Sequence, residues 1–147
     1  MAYIEHGQQE GAKVEIGGSR VGNVGYFIEP TILSNVKESM KIMREEIFGP
    51  VASIAKFKTV QDAIEIGNTT TFGLAAAVHT KNLDTSLTVA NGLKAGTVWI
   101  NTYNALPSSV PFGGFKESGI GRELGKAALA NYTQTKSVMV NMNGSSV

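Results

Sequence analysis

The side chains able to do chemistry are few. The 147-residue chain has no cysteine, so a thiolate nucleophile, a disulfide and a cysteine-based metal site are all ruled out within it. Its two histidines, His6 and His79, have no second histidine at a metal-ligand spacing and read as ordinary surface or strand residues; no metal site is expected. The stretch Gly119-Ile120-Gly121-Arg122-Glu123-Leu124-Gly125 imitates a dinucleotide fingerprint, but its third glycine falls one position late. It also follows a glycine-rich loop instead of a strand, and no acidic residue comes after Glu123. Gly121 to Lys126 imitates a phosphate loop one residue short, with Ala127 where a hydroxyl should meet magnesium. These glycines are read as backbone devices of a tight turn. The adjacent acids Glu45 and Glu46 lead into Phe48-Gly49-Pro50. On residue type alone, Glu46 is a solvated helix-end acid and Phe48 a core anchor before a turn.

Those residues need elements to hold them. Tyr3 to Glu10 reads as the tail of a helix stopped at Gly11, and Ala12 to Ile16 as a short alternating strand. After the glycine-rich turn from Gly17 to Gly25, Tyr26 to Leu33 alternates again, interrupted by Pro30. Val36 to Glu46 has helical composition and stops at Phe48-Gly49-Pro50. Val51 to Phe57 reads as a strand. Thr59 and Asp62 form a capping-box pattern for the helix that follows. The apolar run Leu74 to Val78 fits a strand covered on both faces. Asn82 to Asn91 reads as a helix with Leu83, Leu87 and Ala90 on one stripe and Gly92 just past its end. Thr97 to Ile100 is a strand, Asn101 to Gly119 a loop, Arg122 to Tyr132 a last helix and Lys136 to Met142 a last strand. The alternation of strand and helix through the middle predicts an α/β fold with a parallel sheet.

Composition bounds the function. Apolar residues make up 42% and charged residues 17%, with a net charge of +1; these are globular values with no basic stripe for nucleic acid. No apolar run nears the length of a bilayer span, so no membrane partner is expected. The polar, mixed-charge start is neither a signal nor a transit peptide. A cytoplasmic location is the expectation, with a mitochondrial one left open.

Two segments taken whole carry a specific signal: Glu45-Glu46-Ile47-Phe48-Gly49-Pro50-Val51, and Pro111 through Glu123, which begins Pro-Phe-Gly-Gly-Phe-Lys. Around them stand Gly25-Tyr26-Phe27-Ile28-Glu29-Pro30-Thr31, Gly73 to Val78, Ala95 to Asn101, and Tyr132-Thr133-Gln134-Thr135-Lys136. In this order they resemble the C-terminal region of the aldehyde dehydrogenase superfamily, from about Glu10 to Val140. The resemblance implies a partial parallel-sheet catalytic domain over 1–132, then a terminal oligomerisation strand and tail over 133–147.

The resemblance also implies a reaction: an aldehyde is oxidised to a carboxylic acid with NAD or NADP. A cysteine thiolate attacks the carbonyl, hydride passes to the nicotinamide, and a glutamate-activated water releases the acid. It places Glu46 against the nicotinamide-side ribose, where a carboxylate accepts both hydroxyl hydrogens, and Phe48 beside the nicotinamide ring. Phe112 would line the aldehyde channel, and Asn104 and Leu106 its outer part. The cysteine and the glutamate base belong upstream of the matched region. With no cysteine, the chain alone is expected to be inactive, as part of a homo-oligomeric (dimeric or tetrameric) oxidoreductase. A start in mid-helix favours a partial record of such an enzyme over two alternatives, a truncated module pairing with full-length subunits and an inert fragment. A sheet without its neighbours also predicts poor folding cooperativity.

Overall fold

The computed structural model describes residues 1–142, and its first half is built around one apolar cluster. Helix α1 (Ala2–Gln9) turns Ile4 and Gly7 inward. Gly7 is needed for contact: a Cβ there would meet the Ile42 side chain at 3.0 Å. The helix is followed by Gly11 at φ +99°, a conformation open to glycine at little cost. Strand β1 (Lys13–Ile16) pairs antiparallel with β2 (Thr31–Ser34), which pairs parallel with β3 (Val51–Ser53) in register Thr31 to Val51. Ala12, Leu33, Val36, Met40 and Ile42 form the buried cluster, with Tyr3, Val14, Met43, Ile47 and Val51 against it.

The second half is a strand–helix–strand unit. Helix α3 (Val60–Asn68) opens on the expected capping box. Thr59 Oγ1 accepts from the Asp62 N–H at 3.1 Å and Asp62 Oδ2 accepts from the Thr59 N–H at 3.2 Å, satisfying two donors that a helix start leaves free. Strand β5 (Ala75–Val78) pairs parallel with β6 (Thr97–Ile100) through helix α4 (Leu83–Gly92). Strand β4 (Phe72–Gly73) pairs antiparallel with β7 (Phe115–Lys116). A short 3₁₀ helix, Lys126–Asn131, follows.

The fold is mixed α/β, as expected, but the expected parallel sheet is divided into one three-stranded and two two-stranded sheets. The β3–α3–β5 connection does not bring its strands into pairing, and β5 is exposed at Ala75 and half-buried beyond it, not covered on both faces. Only Lys41–Arg44 of the expected helix Val36 to Glu46 forms, as α2. Its start is set from a distance: the Lys41 N–H donates to Glu10 Oε2 at 2.9 Å, while Met40 stays extended.

On α4 the buried face is Ser86 and Val89, and the expected stripe residues Leu83 and Leu87 face outward. Ser86 can be buried because its hydroxyl donates to Leu83 O at 2.7 Å. Gly92 is the last residue of α4, not the residue after it. No α-helix starts at Arg122. Glu123 is held extended by two backbone bonds with Phe112, at 2.8 and 2.7 Å, and Leu124 and Gly125 take positive φ.

The expected strand at Lys136 to Met142 does not form. Val138, Met139, Val140 and Met142 are all exposed, and among the described residues no strand is assigned to the segment. The tail Asn143 to Val147, and with it part of the expected 133–147 unit, lies outside the described residues.

Candidate cofactor and substrate site

Glu46 and Phe48 lie where α2 hands over to β3. The chain leaves α2 at Glu45, already extended at φ −110° and ψ 149°. Ile47 turns inward to the core while Phe48 turns out, 91% exposed. The alternating outcome corrects the reading of Phe48 as a core anchor: Ile47 does the anchoring. Glu46 is exposed, and its carboxylate makes no hydrogen bond or ion pair among the described residues. Both residues line a cavity of about 310 Å³ with Ile28, Pro50 and Val51. A free carboxylate beside an exposed aromatic face suits a polyol attached to a flat ring.

A second cavity of about 510 Å³ also has Glu46 in its wall. Across it stand Leu74, Ala75 and Lys94, and from the second signature Glu117 and Ser118. The two segments singled out in the sequence, far apart in the chain, therefore meet at one opening.

The second signature is fixed against residues 68–73 and Gly96. The Gly73 N–H donates to Ser118 Oγ at 2.9 Å and the Glu117 N–H to Thr71 O at 3.1 Å. Lys116 Nζ donates to the carbonyls of Asn68 (3.1 Å) and Thr70 (2.7 Å) at the end of α3, where a cation also complements the helix dipole. Gly96 lies so near the second signature that a Cβ on it would stand 1.7 Å from Gly113 O. Gly113 and Gly114 likewise leave no room for a side chain against Arg122 and Ser118.

Phe112, Asn104 and Leu106 line neither cavity. Phe112 is half-buried in its bridge to Glu123. Asn104, at φ +56°, and Leu106, 43% exposed, sit on the loop after β6. That loop is tied down by Trp99, whose Nε1 donates to Ala105 O at 2.9 Å and whose ring meets Tyr103 edge-on at 5.4 Å. Sequence reasoning missed this anchor, the Lys116 clamp and a contact between Tyr3 and Glu45 described below. All three are tertiary or loop contacts that no periodicity announces. Among the described residues, no group of three His, Cys, Asp or Glu side chains could hold a metal ion, and no helix is long and apolar enough to cross a membrane.

Glu46 of the first signature thus shares one cavity with Glu117 and Ser118 of the second, while Phe48 lines the neighbouring one. Residues 1–138 match the family model described as the aldehyde dehydrogenase family. An aldehyde dehydrogenase of Davidiella tassiana is 68% identical over 142 residues, covering 97% of this chain and 29% of that protein. Aldehyde dehydrogenase 1A1 of Gallus gallus is 56% identical over 95% of this chain and 27% of its own length. The solved NAD+ complex of an aldehyde dehydrogenase from Bacillus cereus superposes with a TM-score of 0.92 at 53% identity, over 97% of this chain and 29% of that one. A betaine aldehyde dehydrogenase from Staphylococcus aureus superposes at 0.94 with 43% identity, over 99% and 30%. The chain belongs to the aldehyde dehydrogenase family. It spans under a third of the length of these relatives.

Proposed function

We propose that this chain forms the C-terminal part of the catalytic domain, and the terminal oligomerisation segment, of an NAD(P)-dependent aldehyde dehydrogenase acting as a homo-oligomer in the cytoplasm. The reaction would convert an aldehyde, water and NAD(P)+ into a carboxylic acid, NAD(P)H and a proton. When bound, the nicotinamide supplies the hydride acceptor. In this reading the Glu46 carboxylate accepts hydrogen bonds from the ribose hydroxyls, and the Phe48 ring gives the nicotinamide an apolar wall. Phe112 lines the aldehyde channel, with Asn104 and Leu106 shaping its mouth. The nucleophilic cysteine and the glutamate base would come from residues outside this chain, which has no cysteine; the 147 residues alone are proposed to be inactive.

The observation that supports this reading is the convergence of Glu45 and Glu46 with Glu117 and Ser118 on one cavity. A second reading, a non-catalytic module that pairs with full-length subunits, draws on the exposed apolar segment Val138 to Met142. The test is a chimera in which this chain replaces the matching segment of the Bacillus cereus enzyme, whose identity to it is 53%. NAD-dependent oxidation of an aldehyde by the chimera, lost in Glu46→Ala through a raised KM for NAD+, is the expected result. A folded chimera with no turnover, or one indifferent to Glu46→Ala, would contradict it.

A further inference from the structure

We propose that Tyr3 is a positioning residue for the cofactor end of the site, acting through Glu45 to set the direction in which Glu46 and Phe48 leave the core. The proposal rests on the roles given above to Glu46 and Phe48. Tyr3 OH donates to Glu45 Oε2 at 2.8 Å, across 42 residues of sequence. Lys41 Nζ lies 5.5 Å from the centre of the Tyr3 ring and 3.7 Å from Glu45 Oε2. Phenol, ammonium and carboxylate thus close a triangle, each contact limiting the freedom of the other two.

Glu45 sits at the hinge of the segment. It is the residue at which α2 gives way to extended backbone. Past it, the side chains of Glu46 and Phe48 make no hydrogen bond among the described residues. Three bonds hold the backbone there, Gly49 N–H to Ile47 O at 3.0 Å, Val51 N–H to Gly49 O at 2.9 Å and Thr31 N–H to Pro50 O at 2.8 Å. Beyond Phe48 the segment is fixed by Pro50 on β2 and within it by the partly buried Ile47, whereas ahead of Glu46 the side-chain restraint is the Glu45 carboxylate. Without the phenol, Glu45 keeps only its exposed partner Lys41, a weak restraint in water. The contact also holds the phenol's proton: the hydrogen bond to Glu45, then burial and the nearby negative charge, raise the Tyr3 pKa above its ordinary value. The phenol therefore remains a donor in this latch throughout the neutral range.

The test uses substitutions that separate the hydroxyl from the ring. Tyr3→Phe keeps the ring and its contact with Lys41; Glu45→Gln keeps an acceptor oxygen at the same reach; Glu45→Ala removes it. In the 147-residue chain, Gly49 amide hydrogen exchange should quicken about fivefold in Tyr3→Phe and in Glu45→Ala, the worth of one net hydrogen bond. The double variant should exchange no faster than either single, and Glu45→Gln should stay near the parent. In the Bacillus cereus chimera, Tyr3→Phe should raise KM for NAD+ about fivefold while kcat stays within about twofold, with Glu45→Gln again near the parent. Unchanged exchange in Tyr3→Phe overturns the latch, whatever the chimera does. Faster exchange with an unmoved KM overturns its link to the cofactor. A folded but inactive parent chimera overturns the cofactor reading itself, and the exchange result then decides the latch alone.

Discussion

Replacing Gly96 with alanine tests the claim that close approach of main chain to main chain helps to hold the second signature. The new Cβ would stand 1.7 Å from the carbonyl oxygen of Gly113 and 3.3 Å from the Cα of Gly114. A carbon and a carbonyl oxygen approach no closer than about 3.3 Å, so one backbone must retreat by about 1.6 Å. Neither atom can rotate aside, because both belong to main chain. Retreat strains the Gly96 N–H bond to Gly73 O at 3.0 Å and the paired bonds between Phe112 and Glu123. Overpacking of this kind costs about 1–3 kcal/mol, and one weakened backbone bond adds about 1 kcal/mol. A local loss of about 3 kcal/mol corresponds to exchange about a hundredfold faster at the Gly96 and Phe112 amides. Gly49 provides the control, since a Cβ there meets nothing within 4 Å, and Gly49→Ala should leave both amides within about threefold of the parent. Exchange in Gly96→Ala no faster than in Gly49→Ala would mean that the loop does not depend on the close approach, and the argument for Phe112's placement would go with it.

Lys116→Met removes the cation from two helix-end carbonyls and should lower the thermal midpoint, by the equivalent of about 1–2 kcal/mol; an unchanged midpoint would show those carbonyls already satisfied by water. Thr59→Ala should cost about 1 kcal/mol of helix stability, read as loss of helical circular dichroism. Asp62 has its pKa lowered, first by its hydrogen bond with the Thr59 side chain and then by the Lys58 N–H. Its contribution is therefore present above the ordinary aspartate range and lost as pH falls through the lower folded value. The parent should lose helicity on that acid limb, and Asp62→Asn should flatten it; an identical limb in both would refute the assignment. Trp99→Phe should leave the β5–β6 pair intact and loosen the loop bearing Asn104 and Leu106, seen as faster exchange from residues 101–106 alone.

The signals that proved legible in the sequence were local ones. The capping box at Thr59 and Asp62, the stop at Gly11 and the Asn82 start of α4 each depend on a few consecutive residues and their own backbone. Within the second signature, Gly114 likewise answers to a neighbour in its own turn, Ser118, which leaves no room for a Cβ. The elements that differ were decided by partners elsewhere. Helix α2 is cut short because Glu10 caps it at Lys41, and the expected helix at Arg122 is pre-empted by the pairing of Glu123 with Phe112. The stripe on α4 was assigned by hydropathy to Leu83 and Leu87, but packing selected Ser86 and Val89.

The same division separates the two halves of the candidate site. Glu46 and Phe48 were singled out by a motif, and both are exposed. What holds them is tertiary: Ile47 partly buried against the core between them, Glu45 bonded to a tyrosine 42 positions away, and Glu117 in the wall of one cavity with Glu46. A carboxylate free to accept two hydrogen bonds is useful only if its backbone is held, because each degree of freedom left to the segment is lost again on binding. The first signature can therefore be read as alternating duties, with Glu45 and Ile47 fixing the backbone and Glu46 and Phe48 left free of protein contacts. Substitutions at the first pair should act through order and at the second through contact, which is why the exchange and KM measurements can tell them apart.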